Sequence, residues 1–110
     1  MTVSPNIEKA AVQKRVRAAG TRPAWPAVLA VLETDETRST CLSRYRDAGF
    51  TPDDFARSRP AREAMSDALT RTEDWLEYQS MSRPCRAHLY DAARAAIRNV
   101  RRRLERELWP

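Results

Sequence analysis

Residues 84–108 read PCRAHLYDAARAAIRNVRRRLEREL, and this stretch decides the fold. After its first residue it contains no proline or glycine, and it is rich in alanine, arginine, leucine and glutamate, which favour helix. Apolar residues recur every three or four positions, which is the spacing of one helix face. They are Leu89, Ala93, Ala96, Ile97, Val100, Leu104 and Leu108. We therefore expect one long amphipathic helix that buries this apolar stripe.

A second long helix is predicted directly before it, over residues 60–80. Pro60 suits the first position of a helix because its missing N–H would have no partner there. One side of the segment is largely apolar, and its members are Ala61, Met65, Ala68, Leu69, Thr72, Trp75, Leu76 and Gln79. Only a few residues around Ser82 and Pro84 separate the two segments. We therefore expect an antiparallel pair that forms the spine of the fold.

Three shorter helices are predicted upstream, over residues 26–32, 35–48 and 52–58, with one bent helix over the first two segments as an alternative. Gly49 suits the left-handed residue that commonly ends a helix. The segment 51–54, Thr-Pro-Asp-Asp, combines a capping hydroxyl, a proline at the first position and acids near the positive end of the helix dipole. The predicted fold class is therefore all-α, a compact bundle of four to five helices with a long C-terminal antiparallel helix pair.

One domain is expected over residues 1–110, with residues 1–22 as an N-terminal helix or arm. No apolar run approaches the roughly 20 residues that cross a bilayer, and the first residues lack the apolar region of a signal peptide. We therefore expect a cytoplasmic protein with no membrane partner. Cys41 and Cys85 are then expected as reduced thiols, with a disulfide between them as the less favoured alternative.

The charge of the chain is unevenly distributed. The total is +5, with 18 arginines and 2 lysines. Residues 1–32 carry +4, residues 33–80 carry −4 and residues 81–110 carry +5. A basic surface favours an acidic partner such as nucleic acid. The alternative is that the basic final helix packs beside the acidic middle helix and is neutralised there.

The basic charge of the final helix is concentrated on one face. Four arginines fall within about 100° on a helical wheel, away from the apolar stripe. They are Arg94, Arg98, Arg101 and Arg102. Arg103 and Arg106 add charge around the sides, and Trp109 adds aromatic surface at the end of the helix. Guanidinium groups match phosphate and carboxylate oxygens, so we predict that this set binds nucleic acid or another partner.

Residues 37–58 have the outline of a helix-turn-helix, which is a second way to bind DNA. In that interpretation Arg57, Arg59 and Arg62 would form a secondary basic patch. Tight packing at such a turn needs a small residue four positions before the turn glycine, where this chain has Tyr45. The pattern therefore matches poorly, and capping chemistry alone explains the segment.

Catalytic and cofactor motifs are not found in the sequence. Cys85 and His88 share a helix face but lack the second pair of ligands that a zinc site needs. Two glycines in the whole chain cannot form a glycine-rich phosphate loop. We therefore expect a non-enzymatic, regulatory binding protein with no metal, cofactor or small-molecule substrate.

The leading prediction is docking on nucleic acid or a nucleoprotein complex through the arginine-rich final helix. Small basic helical proteins of phages and mobile elements are similar in size, charge and class. The alternative is a helical protein–protein interaction module, either a homodimer or an inhibitor or adaptor of a larger machine. In that case Leu104, Leu108 and Trp109 would form the interface, and the arginines would meet acidic residues of a partner protein.

Overall fold

The computed structural model describes residues 23–108 as helices joined by short turns. The five α-helices are α1 (Trp25–Val31), α2 (Asp35–Asp47), α3 (Pro52–Arg57), α4 (Arg59–Ser82) and α5 (Ala87–Leu108). A 3-10 turn, Pro84–Arg86, joins α4 to α5, and no strand occurs among the described residues. The all-α bundle with a long C-terminal antiparallel pair is therefore confirmed. The predicted N-terminal helix or arm lies outside the described residues.

The helix boundaries follow local signals in the sequence. The Thr34 hydroxyl caps α2 by accepting a hydrogen bond from the Thr37 backbone N–H at 3.1 Å. Ser58 caps α4 in the same way, accepting from the Ala61 N–H at 3.3 Å. Gly49 has a φ of 95°, in the left-handed region, and so ends the turn after α2 without steric strain.

The central element is α4, which packs against α5 along most of its length and against α2 and α3 on other sides. α2 runs antiparallel to α4. Near the middle of α2, the Cys41 sulfur lies 3.8 Å from the Met65 sulfur, whereas Thr37 lies beside Trp75 and Leu76. α1 packs against α5, and α3 packs against α4 and α1.

The core receives side chains from all five helices. Its buried apolar members are Val28, Leu32, Cys41, Tyr45, Phe55, Ala61, Met65, Ala68, Leu69, Leu76, Ile97, Val100, Leu104 and Leu108. An aromatic cluster closes one end, because the Trp25 ring lies 5.4 Å from Tyr45 and 5.5 Å from Phe55 between centroids. Such tilted and edge-on aromatic contacts favour a fixed arrangement of α1, α2 and α3.

The helices that cover the α4–α5 pair are much shorter than the pair itself. At 1.5 Å per residue, the 24 residues of α4 span about 36 Å, the 13 of α2 about 20 Å and the 7 of α1 about 10 Å. The pair therefore extends past its neighbours at the connecting turn, and we call residues 78–90 the hairpin tip. Leu89, which was expected in the buried stripe, is 58% exposed there. That part of the prediction is wrong because no shorter helix reaches far enough to cover it.

Candidate interaction surfaces

The predicted arginine face of α5 is partly turned toward α4. The side chain of Glu73 on α4 is only 7% exposed and accepts hydrogen bonds from two arginines of that face. Its Oε1 lies 3.1 Å from Nε of Arg98, and both of its oxygens accept from Arg101. Arg101 also donates to Glu105 at 2.8 Å. The hydrogen bond to Glu73 raises the pKa of Arg101, against the smaller opposing effect of burial.

Arg94 is paired as well, at 3.5 Å with Glu77 on α4 and at 3.9 Å with Asp91 on α5. Three of the four arginines of the predicted face therefore contact carboxylates of their own chain. This is the neutralisation that the acidic middle segment allowed as an alternative. Glu73 is buried at the interface of the two helices, where it is paired with arginines.

A narrower basic surface remains on the outside of α5. Arg102 and Arg106 are exposed and make no ion pair with another described residue. Arg98 gives its Nε to Glu73 but keeps 41% of its side chain exposed. These three lie one helical turn apart, about 6 Å along the axis, and we call them the arginine ridge. Arg103 is half-buried and engaged in an interaction of its own, while Trp109 lies outside the described residues. Leu104 and Leu108, expected at the interface in the alternative, are buried in the core instead.

The secondary basic patch is divided by the fold. Arg62 is only 9% exposed, forms an ion pair with Glu107 at 3.2 Å, and donates to the backbone carbonyl of Phe55 at 3.3 Å. Arg59 pairs with Glu63 at 3.3 Å and donates to the carbonyl of the last residue of α5. Both arginines thereby tie the start of α4 to its surroundings, and Arg57 alone of the three is exposed without a described ion pair.

Charge is nearly balanced within the described part of the chain. Residues 23–108 contain 15 arginines and 14 acidic residues. Residues 1–22 contain five basic residues and one acidic residue, so most of the net charge of +5 belongs to that segment. The described bundle by itself therefore has little net attraction for a polyanion.

A groove opens where α4 and α5 extend beyond the shorter helices. Its volume is about 190 Å³, and its apolar wall consists of Trp75, Leu76, Leu89, Tyr90 and Ala93. On one side the rim carries two exposed arginines, Arg83 and Arg86. On the other side lies the start of α2, with Thr34, Glu36 and Thr37.

The two sides of the groove carry opposite charge. Arg83 donates to the Tyr90 hydroxyl at 3.4 Å and thus stands over the apolar wall. Neither Arg83 nor Arg86 makes an ion pair with a described residue, and the same holds for Glu36. This groove was not predicted from the sequence. The signal was available, because helices predicted over 26–32 and 35–48 are too short to cover the pair predicted over 60–80 and 84–108.

Further apolar surface lies on the outer side of the hairpin tip. Tyr78 is 65% exposed and Met81 is 75% exposed. Neither residue lines the groove. The tip therefore presents more large apolar side chains to solvent than any other part of the described chain.

The two thiols differ sharply in environment. Both are free; Cys41 is buried and Cys85 is exposed at the hairpin tip. Burial raises the pKa of Cys41 to about 11, and a hydrogen bond with Thr72 opposes this rise. His88 is exposed one turn from Cys85. Within residues 23–108, histidine, cysteine and carboxylate groups nowhere form a cluster of three that could hold a metal ion.

Comparison of the chain with family models, with curated proteins and with solved structures finds no match. In the described segment, none of the helices combines the length and the apolar character required to cross a membrane. The function is therefore inferred from the groove and from the arginine ridge.

Proposed function

We propose that this protein is a small non-enzymatic interaction module that binds another protein chain through the groove at the hairpin tip. The observation that carries the proposal is the apolar wall around Trp75, Leu89 and Tyr90, which continues the core stripe of the α4–α5 pair into solvent. Leu89 is 58% exposed and Trp75 and Tyr90 are half-buried, so a partner that covers the groove would remove this apolar surface from water. Burying that wall against a partner would complete the core that α1 and α2 leave open.

The pairing of the arginine face also favours a protein partner over nucleic acid. Glu73 and Glu77 already engage Arg94, Arg98 and Arg101, so these guanidinium groups would have to exchange a carboxylate for a phosphate. The near balance of 15 arginines and 14 acids in the described part removes most of the long-range attraction. A polyanion would therefore gain less from this bundle than the sequence alone suggests.

A second candidate function is docking on nucleic acid or a nucleoprotein complex through the arginine ridge. Arg102 and Arg106 are exposed without a described carboxylate partner, and Arg98 is oriented by Glu73 with much of its side chain in solvent. Guanidinium groups at intervals of about 6 Å suit a phosphate backbone. The five basic residues among residues 1–22 would add to this attraction.

Site-specific photo-crosslinking in the native host separates the two functions. A benzophenone amino acid is placed at Leu89 in the groove, at Arg102 on the ridge, or at the exposed Thr70 on α4 as a control. We expect adducts with a protein from position 89, and few from position 70. Nuclease-sensitive adducts from position 102 with none from position 89 would reject the groove and support the second function.

A salt titration with labelled DNA and RNA tests the second function directly. If the ridge binds a polyanion, affinity falls steeply with added salt, and the double change Arg102→Glu, Arg106→Glu removes it. These two residues are chosen because, unlike Arg98, they make no described contact that holds the fold. Leu89→Asp is the matched control and should leave such binding intact. Absence of binding at low salt would dismiss this function.

A further inference from the structure

We infer that the groove is filled by a second copy of this chain, so that two hairpin tips pack around a two-fold axis. This inference rests on the proposed function, because it names the partner of the same groove. A second copy is favoured over other occupants because of how charge is distributed on the rim.

The rim is bipolar and therefore self-complementary. Arg83 and Arg86 stand on the side of the α4–α5 turn, and Glu36 stands on the side of α2, without ion pairs among the described residues. A two-fold rotation places the basic side of one copy against the acidic side of the other, and the reverse. The same rotation brings apolar wall against apolar wall. This is the property of an isologous interface, in which one patch serves both partners.

Leu89 supplies the protruding group that a concave groove requires. It lines the groove and yet is 58% exposed, so it stands out from the wall beside Tyr90. In the dimer, Leu89 of each copy would enter the groove of the other, between the start of α2 and the α4–α5 turn. Burying the exposed part of this side chain on each copy favours association through the hydrophobic effect, against the entropic cost of joining two chains.

Other occupants fit the rim less well. A uniformly acidic segment would match Arg83 and Arg86 but meet Glu36, whereas a uniformly basic segment would do the opposite. Residues 1–22 of the same chain, with five basic residues and one acid, would place like charge against the two arginines. These occupants are outcomes that the following experiment distinguishes.

The first measurement is sedimentation and light scattering of the full chain from about 1 to 500 µM. We expect a concentration-dependent dimer whose Kd is weakened at least tenfold by Leu89→Asp. Met81→Asp is the matched control, since Met81 is an exposed apolar residue of the same tip outside the groove, and its dimer should persist. Circular dichroism of each variant verifies that the helices are intact.

A charge swap tests the arrangement of the two copies. The double change Arg83→Glu, Arg86→Glu should give a monomer, and Glu36→Arg should weaken the dimer by itself. Mixing the two variants should restore a heterodimer, which native mass spectrometry distinguishes by mass. A restored heterodimer would show that the basic side of one groove contacts the acidic side of the other. If the mixture also stays monomeric, the two-fold arrangement is overturned.

Cys85 offers a direct readout of geometry, because it is exposed at the tip while Cys41 is buried. A nitroxide on Cys85 should give one narrow inter-label distance by pulsed electron resonance, and Leu89→Asp should abolish it. A wild-type chain that stays monomeric at 500 µM, or a dimer that survives Leu89→Asp, would overturn the inference. If the chain is monomeric, a photo-crosslink from position 89 to a different protein would still support the proposed function. If position 89 gives no crosslink to any protein, both the proposed function and the dimer are rejected.

Discussion

The substitution Glu73→Gln tests whether α4 holds the arginine face of α5. The carboxylate of Glu73 is 7% exposed and is shared by Arg98 and Arg101. Removing one partner of a buried ion pair costs on the order of 3–5 kcal/mol, because a charge is left without compensation. The expected loss is smaller here, about 2–3 kcal/mol, because Arg101 keeps its bond to Glu105 and 41% of the Arg98 side chain is exposed to solvent. For a domain of this size it corresponds to a fall in Tm of roughly 10–20 °C.

Urea unfolding followed by circular dichroism at one low protein concentration measures this loss. Glu63→Gln is the control, since Glu63 forms an exposed i,i+4 pair with Arg59 and should change stability by less than about 0.5 kcal/mol. A double-mutant cycle with Arg101→Met should give a coupling energy of about 1–2 kcal/mol. If Glu73→Gln proves as mild as the control, the interpretation of Glu73 as the anchor between the two helices is refuted.

Three further predictions concern the body of the bundle. Burial raises the pKa of the Cys41 thiol to about 11, so the unfolded chain loses the thiol proton at lower pH than the folded chain. The free energy of unfolding should therefore stay constant below about pH 9 and then fall by up to about 2–3 kcal/mol by pH 11. Urea titrations over this pH range should show the fall, and an equally steep fall in Cys41→Ala would contradict the assignment. Gly49→Ala should cost about 1 kcal/mol, since its φ of 95° strains any L side chain; an unchanged urea midpoint would argue against that conformation. Tyr45→Phe should also cost about 1 kcal/mol, because its hydroxyl donates to the Thr51 carbonyl at 2.5 Å; calorimetry that shows no loss would mean water replaces this bond.

Local features of this fold could be predicted from the sequence, because they depend on residues close together in the chain. The ending of α2 before Gly49 needs only a residue that tolerates positive φ. The capping of α2 by Thr34 and the place of Pro52 at the start of α3 depend on two or three neighbouring residues. The apolar periods of α4 and α5 likewise predicted the antiparallel pair.

Features that depend on register between helices could not be predicted. The helical wheel placed Arg94, Arg98, Arg101 and Arg102 on one face, but it could not show that α4 would present Glu73 to the edge of that face. Which carboxylate meets which arginine is decided by how the apolar side chains of two helices interdigitate. The sequence therefore predicted the positive charge on this face of α5 but left open which carboxylates pair with its arginines.

Burial of Leu89 was mispredicted for a related reason. A periodic pattern identifies which side of a helix is apolar, but the extent of burial depends on the lengths of the neighbouring elements. α1 ends at Val31 and α2 begins at Asp35, so neither accompanies the α4–α5 pair to its turn. The short length of α1 and α2, which leaves Leu89 exposed, also creates the groove.

The difference in helix length also divides the molecule by its resistance to local opening. Amides near Leu69 and Ile97 lie in helices covered on several sides, so their hydrogen exchange requires the opening of most of the bundle. Amides of the hairpin tip lie where α4 and α5 extend beyond most of the shorter helices, so they exchange through fraying of a single hairpin. A second copy would protect the tip without altering the body, and exchange there would slow as concentration rises. Hydrogen exchange at individual amides of the hairpin tip would therefore report on the assembly of two copies.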